Sequence, residues 1–213
     1  SGNSGSFQFE NATAATFKPG GKNIGQFLKK REGSLAVTGT LYIRDSLRLD
    51  EGVVTLSEGD SVVIVGGTLV DANPSSYFVG PVAHENASGQ LLFPMGTQGL
   101  YLPIRIFKTK GAKVRATIKS AREEVSAGPG VDAVIDFPYA WQVEEKLQSD
   151  TAAYVELSYP ASLPVVSNPI VVRQTGNTWS SMGARFIENT DNRMTVRSYS
   201  RGLHGIFTVA QGF

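Results

Sequence analysis

Apolar and polar residues alternate in short runs along most of this chain, and glycine, proline or aspartate separates the runs. A period of two places every second side chain on one face of a strand, whereas a helix would repeat near 3.6 residues. Helical spacing is nearly missing. Residues 25–31 form one short helical candidate, with Phe27 and Leu28 as its only apolar anchors. Residues 141–147 form a second, which reads equally well as a strand edge. The pattern predicts an all-β chain.

Between residues 34 and 70 the runs are shortest. Leu35-Ala36-Val37, Leu41-Tyr42-Ile43, Leu47-Arg48-Leu49, Val53-Val54-Thr55-Leu56 and Val62-Val63-Ile64-Val65 follow one another, with Gly39, Asp50, Gly52, Gly59 and Gly66 at the corners. Alternation buries every second side chain, and the corner residues let the chain turn sharply. Recurrence at so short a spacing predicts stacked rungs, as in a β-solenoid. A plain antiparallel meander of the same strands is the alternative arrangement.

Asn73-Pro74-Ser75-Ser76 interrupts this style, and longer strands follow at 77–79, 90–93, 102–107, 113–119, 154–159, 170–173, 193–197 and 205–209. Their number and spacing predict an antiparallel β-sandwich. In 113–119, Val114, Ala116 and Ile118 face one way and the charged residues the other. The expected organisation is an N-terminal extension over 1–33, a glycine-punctuated, β-solenoid-like strand array over 34–72 and a β-sandwich domain over 73–213. Arg115, Lys119 and Pro164 are expected to guard strand edges by charge and proline.

Composition narrows the class. A chain of 213 residues, 41% apolar and 18% charged, can bury a core without disulfide staples. The net charge is +1, from 20 Lys+Arg against 19 Asp+Glu. That balance argues against a surface built to neutralise phosphates. The one dense basic run, Lys29-Lys30-Arg31, reads as a solvated face or turn. Cysteine is absent, which removes disulfides, thiolate metal sites and thiol nucleophiles together. No apolar run approaches the ~18–20 residues of a membrane-spanning helix. The polar start, Ser1-Gly2-Asn3-Ser4-Gly5-Ser6, looks like a cut end or a tag scar, and the chain reads as a piece of something longer.

Candidate chemistry is sparse. His84 and His204 lie far apart without metal-ligand spacing, and His84-Glu85 is expected in a loop. No G-x-S-x-G elbow anchors a nucleophile. Glu123-Glu124 and Glu144-Glu145 are adjacent pairs, which point to opposite faces of a strand and so cannot flank one bond. Gly20-Gly21-Lys22 and Gly66-Gly67-Thr68 lack the P-loop frame and read as turns. Asn189-Thr190-Asp191-Asn192 offers oxygens suited to Ca²⁺, and also suits the tip of a hairpin. Asp132 and Asp136 stand isolated. No catalytic, cofactor-binding or metal-ligating residue is therefore assigned. Aromatic residues remain: Trp141, Trp179, Tyr139 and Tyr159 are the candidates for stacking on a sugar ring, with Tyr154 and Tyr199 beside them. Core packing is the competing role, above all for the two tryptophans.

Several phrases occur together in order: Tyr77-Phe78-Val79-Gly80-Pro81-Val82, Leu92-Phe93-Pro94-Met95-Gly96, Tyr101-Leu102-Pro103-Ile104, Ala140-Trp141-Gln142-Val143, Val155-Glu156-Leu157-Ser158-Tyr159, Val171-Val172-Arg173, Thr178-Trp179 and Gly205-Ile206-Phe207-Thr208-Val209. Over about residues 34–213 this set resembles the β-rich regions of large, adhesin-like cell-surface proteins of gliding and related Bacteroidota. The resemblance implies export by the type IX route and display at the surface of a Gram-negative cell. It carries no catalytic residues. The family's C-terminal sorting domain has no convincing counterpart here. Asp45-Ser46-Leu47, Asp60-Ser61-Val62 and Asp150-Thr151-Ala152 match the triplet that such bacteria O-glycosylate, and equally match ordinary strand corners. Asn11-Ala12-Thr13 and Asn86-Ala87-Ser88 match the weaker Asn acceptor pattern.

Two functions follow as expectations. One is a non-catalytic structural or adhesive module of an exported surface protein, needing no cofactor, with neighbouring domains of a longer polypeptide, a surface glycan or a protein as partners, and with neither nucleic acid nor a membrane span. The other is a carbohydrate-binding module using exposed aromatics. An enzyme would need a cleft with convergent polar groups, which no motif locates.

Overall fold

A computed structural model describes residues 5–121, 125–131, 137–146, 153–163, 167–199 and 202–213. The described residues form strands and turns, and no helix among them is long and apolar enough to cross a membrane. The first half is a stack of parallel rungs. The first rung holds β1 (Ser6–Phe9) and β2 (Ala15–Phe17), the second β3 (Asn23–Lys29) and β4 (Leu35–Val37), and the third β5 (Leu41–Leu49) and β6 (Val54–Leu56). The fourth holds β7 (Val62–Val65), β8 (Leu69–Asp71) and β9 (Phe78–Val79), and the fifth β10 (Val82–Phe93) and β11 (Met95–Thr97). Strands β1, β3, β5, β7 and β10 pair in parallel in one sheet, and β2, β4, β6, β9 and β11 in the other.

The register shows the repeat directly: Phe7 pairs Phe27, and Phe27 pairs Leu47. Equivalent positions therefore stack, and the interior becomes columns of like side chains. Leu35, Val54, Phe78 and Met95 form one such column, each fully buried. Phe7, Phe17, Phe9, Phe27 and Phe78 form a chain of ring contacts with centroids 5.0–6.4 Å apart. These separations suit offset and edge-on aromatic packing.

Residues 25–29 belong to β3, not to a helix. The stacked strands also run beyond the 34–72 span at both ends. Asn73–Ser76 is a rung corner: Asn73 Nδ2 donates to the Leu49 and Asp50 carbonyls at 2.9 and 3.0 Å, and Ser76 Oγ to Gly52 O at 2.7 Å. These bonds answer backbone carbonyls of the rung beneath, which a buried corner requires. Lys29, expected in a solvated run, is fully buried: it occupies the inward position between Phe9 and Leu49 and donates its ammonium to Arg31 O.

The second half is antiparallel. A short β12 (Leu100–Tyr101) turns back on β11. The expected strands at 102–107 and 113–119 are one long strand, β13 (Ile104–Ser120), which pairs β10 along its length with register shifts. After β14 (Ser126–Ala127) come β15 (Tyr139–Lys146), β16 (Tyr154–Pro160), β17 (Pro169–Thr175), β18 (Thr178–Ser181), β19 (Phe186–Thr190), β20 (Arg193–Arg197) and β21 (Gly205–Gln211). The sheet forks at β13. Its residues 113–120 pair β15, leading through β21, β17 and β18 to β14. Its residues 104–107 pair β16, leading to β20 and β19. Strand β13 is internal at Arg115, which does not guard an edge: it stands opposite Ala83 on one side and Glu144 on the other, while Lys119 pairs Ala140 on β15 and lies beyond the last β10 pair, Val82 with Ala116. Pro164 lies outside the described residues.

One row of side chains crosses from rungs to fork without a break. Leu41, Val62, Val82, Ala116 and Val143 are successive cross-strand neighbours, each fully buried. The parallel ladder becomes antiparallel at β10, while the apolar row continues. A single buried cluster accordingly holds Leu35 and Phe78 of the rungs together with Trp141, Leu157, Val196 and Phe207 of the fork.

Candidate functional site

The aromatic candidates are mostly core. Trp141 and Trp179 are 0% and 1% exposed and Tyr159 is 2% exposed. Trp141 donates Nε1–H to Leu102 O at 2.9 Å and stacks on Phe137 at 5.8 Å, and Phe137 meets Tyr159 edge-on at 4.9 Å. Trp179 packs in a second cluster with Val172 and Ala210. These three rings have no open face for a sugar in this conformation. Tyr139 is half-buried against the core, Tyr154 is buried, and Tyr199 alone of the six stands well exposed, at 69%.

The other sequence candidates are scattered. His84 is in β10, not in a loop. It extends the inward column Ile24, Ile43, Ile64, and its neighbour on the far side is Val114. Its Nε2–H donates to Leu92 O at 2.8 Å, and its ring meets Phe93 edge-on at 4.6 Å. Burial pushes its pKa down to about 4, partly offset by that bond. His204 is exposed near the last strand. Asp191 and Asn192 take φ of 49° and 62° at the tip of the β19–β20 hairpin, a backbone form that Asn and Asp tolerate. Glu144 and Glu145 lie on β15, where Gln142 Nε2 donates to Glu144 Oε1 at 2.9 Å. Gly20-Gly21 and Gly66-Gly67 are turns. Asp45 and Ser46 lie within β5, and Asp60 and Ser61 just before β7. Asn11 is drawn inward, its Nδ2 donating to Thr13 O and Ser34 O. Asn86 is in β10 with φ of 53°. Glu123-Glu124, Asp132, Asp136 and Asp150-Thr151-Ala152 lie outside the described residues.

What converges instead is an arginine-rich row on the outer side of β16. Alternation in β16 sends Val155, Leu157 and Tyr159 to the core and places Glu156 and Ser158 on the other face. Glu156 stands opposite Arg105 on β13 and opposite Arg197 on β20. Its carboxylate is 3% exposed and engages both guanidiniums: Arg105 Nη1 lies 3.3 Å from Oε1, while Arg197 Nε and Nη2 lie 2.9 and 2.6 Å from Oε2. Charge-assisted, two-pronged contacts of this kind fix geometry as well as energy.

Rings cover the apolar sides of these cations. Arg197 Cζ is 3.9 Å from the Phe107 centroid and 5.3 Å from that of Phe186. Arg193 Cζ is 5.0 Å from the Tyr101 centroid, and Arg185 Cζ is 5.2 Å from that of Tyr154. Such stacking suits the flat, weakly hydrated guanidinium. Arg193 Nε donates to Ser158 Oγ at 3.2 Å and Nη2 to Tyr101 O at 2.9 Å. Burial raises the Tyr101 hydroxyl to about 12, against the pull of Arg193 and Arg105, so it stays protonated at neutral pH. Beside this row runs a groove of about 370 Å³, lined by Tyr101, Arg105, Ser158, Glu188, Asp191 and Arg193 among others.

The row carries hydrogen-bond donors and acceptors suited to holding a polar ligand. Its charged centre, Arg105, Glu156, Arg193 and Arg197, carries no site signal in the sequence alone, although Thr190 and Asp191 of the adjoining groove belong to the oxygen-rich hairpin tip. The usable signal was the period-two spacing of Arg193, Thr195 and Arg197, and of Glu156 and Ser158, but matching one set to the other needs the register. Among the described residues, no group of three His, Cys, Asp or Glu side chains is placed to hold a metal ion. No protein-family model, curated protein or solved structure matches this chain.

Proposed function

We propose that this chain is a non-catalytic structural or adhesive module of an exported protein displayed at the surface of a Gram-negative bacterium. The observation that supports the reading best is the unbroken apolar row from Leu41 to Val143, which joins the rungs to the forked sheet through one core. Such a body transmits force along its strands and holds its outer face rigidly, as a spacer or an adhesive tip must. In this reading the two branches of the fork act as the layers of a sandwich. Neighbouring domains of a longer polypeptide attach at its ends, and the near-neutral charge fits a protein or glycan partner better than nucleic acid.

Antibody raised against the purified protein tests display directly. Labelling of intact cells, abolished by protease added outside them, is the expected result. Labelling only after permeabilisation would overturn it. The fold is also expected to keep its thermal midpoint in excess chelator, since burial alone holds the core.

A further inference from the structure

Two guanidiniums, Arg105 and Arg197, engage one buried carboxylate, Glu156, and Arg197 holds it by two bonds, while a third guanidinium, Arg193, lies further along β20 in the same row. Arg193 has no carboxylate in ion-pair distance among the described residues. Its charge is half-buried over Tyr101 and rests on a hydroxyl and a carbonyl alone. A guanidinium carries five N–H donors, and these two bonds leave Arg193 with donors to spare. Arg105 is 48% exposed at its side chain and gives Glu156 a single long contact. A partly desolvated cation without a counter-ion is a standing demand for an anion, most simply a planar carboxylate that fits the fork.

The rest of the groove argues for what carries that carboxylate. Ser158, Thr190 and Thr195 supply hydroxyls, and Glu188 and Asp191 supply acceptors along the same groove. A bare anion would gain nothing from Glu188 and Asp191, whereas sugar hydroxyls donate to such acceptors. We infer that the groove between Arg105 and Arg193 binds a carboxylated saccharide, its carboxylate on the two guanidiniums and its hydroxyls toward Glu188, Asp191 and Ser158. This site uses polar groups on β13, β16, β19, β20 and the β19–β20 turn, not exposed aromatic rings, and it does not depend on where the protein is displayed.

Titration of the intact protein with glucuronate and galacturonate, against glucose, galactose and acetate as probes, tests the inference by NMR or calorimetry. The uronates are expected to bind at least about tenfold more tightly than both the neutral sugars and acetate. The Arg193→Gln variant is expected to lose about tenfold in uronate affinity. Because Arg193 also holds Tyr101 O and Ser158, Arg105→Gln serves as the second variant: its side chain is half exposed, its fold should persist, and its uronate affinity should fall. Equal binding of the neutral sugars would overturn the carboxylate role, and equal binding of acetate the saccharide. Unchanged uronate affinity in a folded Arg105→Gln protein, or no uronate binding at about 10 mM, would overturn the site itself.

Discussion

In the rungs, Ile24, Ile43 and Ile64 repeat one side chain at one height, and parallel pairing keeps each directly over the last. In the fork, Trp141, Phe137 and Tyr159 are three different rings, two from the β15 segment and one from β16, meeting at 16° and 66°. The rungs need sameness, because each residue must fit a copy of itself one strand away. The fork needs complementarity, because each large ring fills a space shaped by unlike neighbours. Constraint therefore sits in different places: at the corners of the rungs, and in the aromatic centre of the fork.

The largest effect is expected at that centre. Trp141→Ala removes a fully buried ring and leaves Leu102 O without its donor, at a cost of about 4 kcal/mol. Chemical denaturation followed by far-UV circular dichroism measures it; a loss under about 1 kcal/mol would place the centre of the fork elsewhere. The corners come next. Gly52 has φ of +81°, and a Cβ there would lie 2.4 Å from Arg31 O and 2.6 Å from Gly33 O. Gly52→Ala combines left-handed strain with a backbone clash and should cost about 3 kcal/mol. Both tryptophans lie in the fork, so fluorescence reports on that half. If the shared core couples the halves, Gly52→Ala lowers the fluorescence midpoint as well. A midpoint unmoved by this corner change would show two halves that unfold separately.

The junction between the halves gives a pH test. His84 stands in the isoleucine column at the strand where parallel pairing ends, and its pKa of about 4 lies below the ordinary 6.5. The native state holds this imidazole neutral, while the unfolded chain protonates it near its ordinary value. Its contribution is therefore complete above pH 6.5 and is lost as pH falls toward 4, on the order of 3 kcal/mol in all. His84→Leu extends the isoleucine column and should flatten the stability profile between pH 6.5 and 5. A profile of unchanged slope in that window would exclude His84 as its source.

The rungs were the more legible half. Their repeat is written in the chain itself, because stacked positions must carry similar residues, and the structure departs from the expected 34–72 array at its two ends. At the N-terminal end Phe7 and Phe9 on β1 meet Phe17 on β2 only once the chain turns within the first rung, and Phe9 meets Phe27 only once that rung stacks on the second. At the other end Asn73-Pro74-Ser75-Ser76 has the composition of a linker but serves as a corner. The fork showed its strands but not their partners. Glu156 and the arginines lie 41 and 51 residues apart, and no local pattern announces a pairing fixed by strand order. His84 reads as a loop residue because one polar residue in an apolar run looks like an exit, whereas a neutral imidazole bonded to Leu92 O is tolerated inside.

The polar face of the fork should respond less than its core. Glu156→Gln keeps the shape but strips the charge from between Arg105 and Arg197, which are 48% and 30% exposed at their side chains. Water reaches both cations, so the expected cost is about 2 kcal/mol, below the 3–5 kcal/mol of a fully enclosed pair. Stability equal to the parent within about 0.5 kcal/mol would mean that the row serves binding and not the fold. The smallest effect belongs to the rungs' outer surface. Leu69 on β8 is 75% exposed, although its strand pairs β5 and its neighbour Val70 packs on the core. Leu69→Ser therefore removes little buried area and should shift stability by less than about 0.5 kcal/mol, while Val70→Ser should cost several times more. If the two variants cost the same, inward and outward positions on this rung would be energetically alike, and the period-two reading of the rungs would fail at β8.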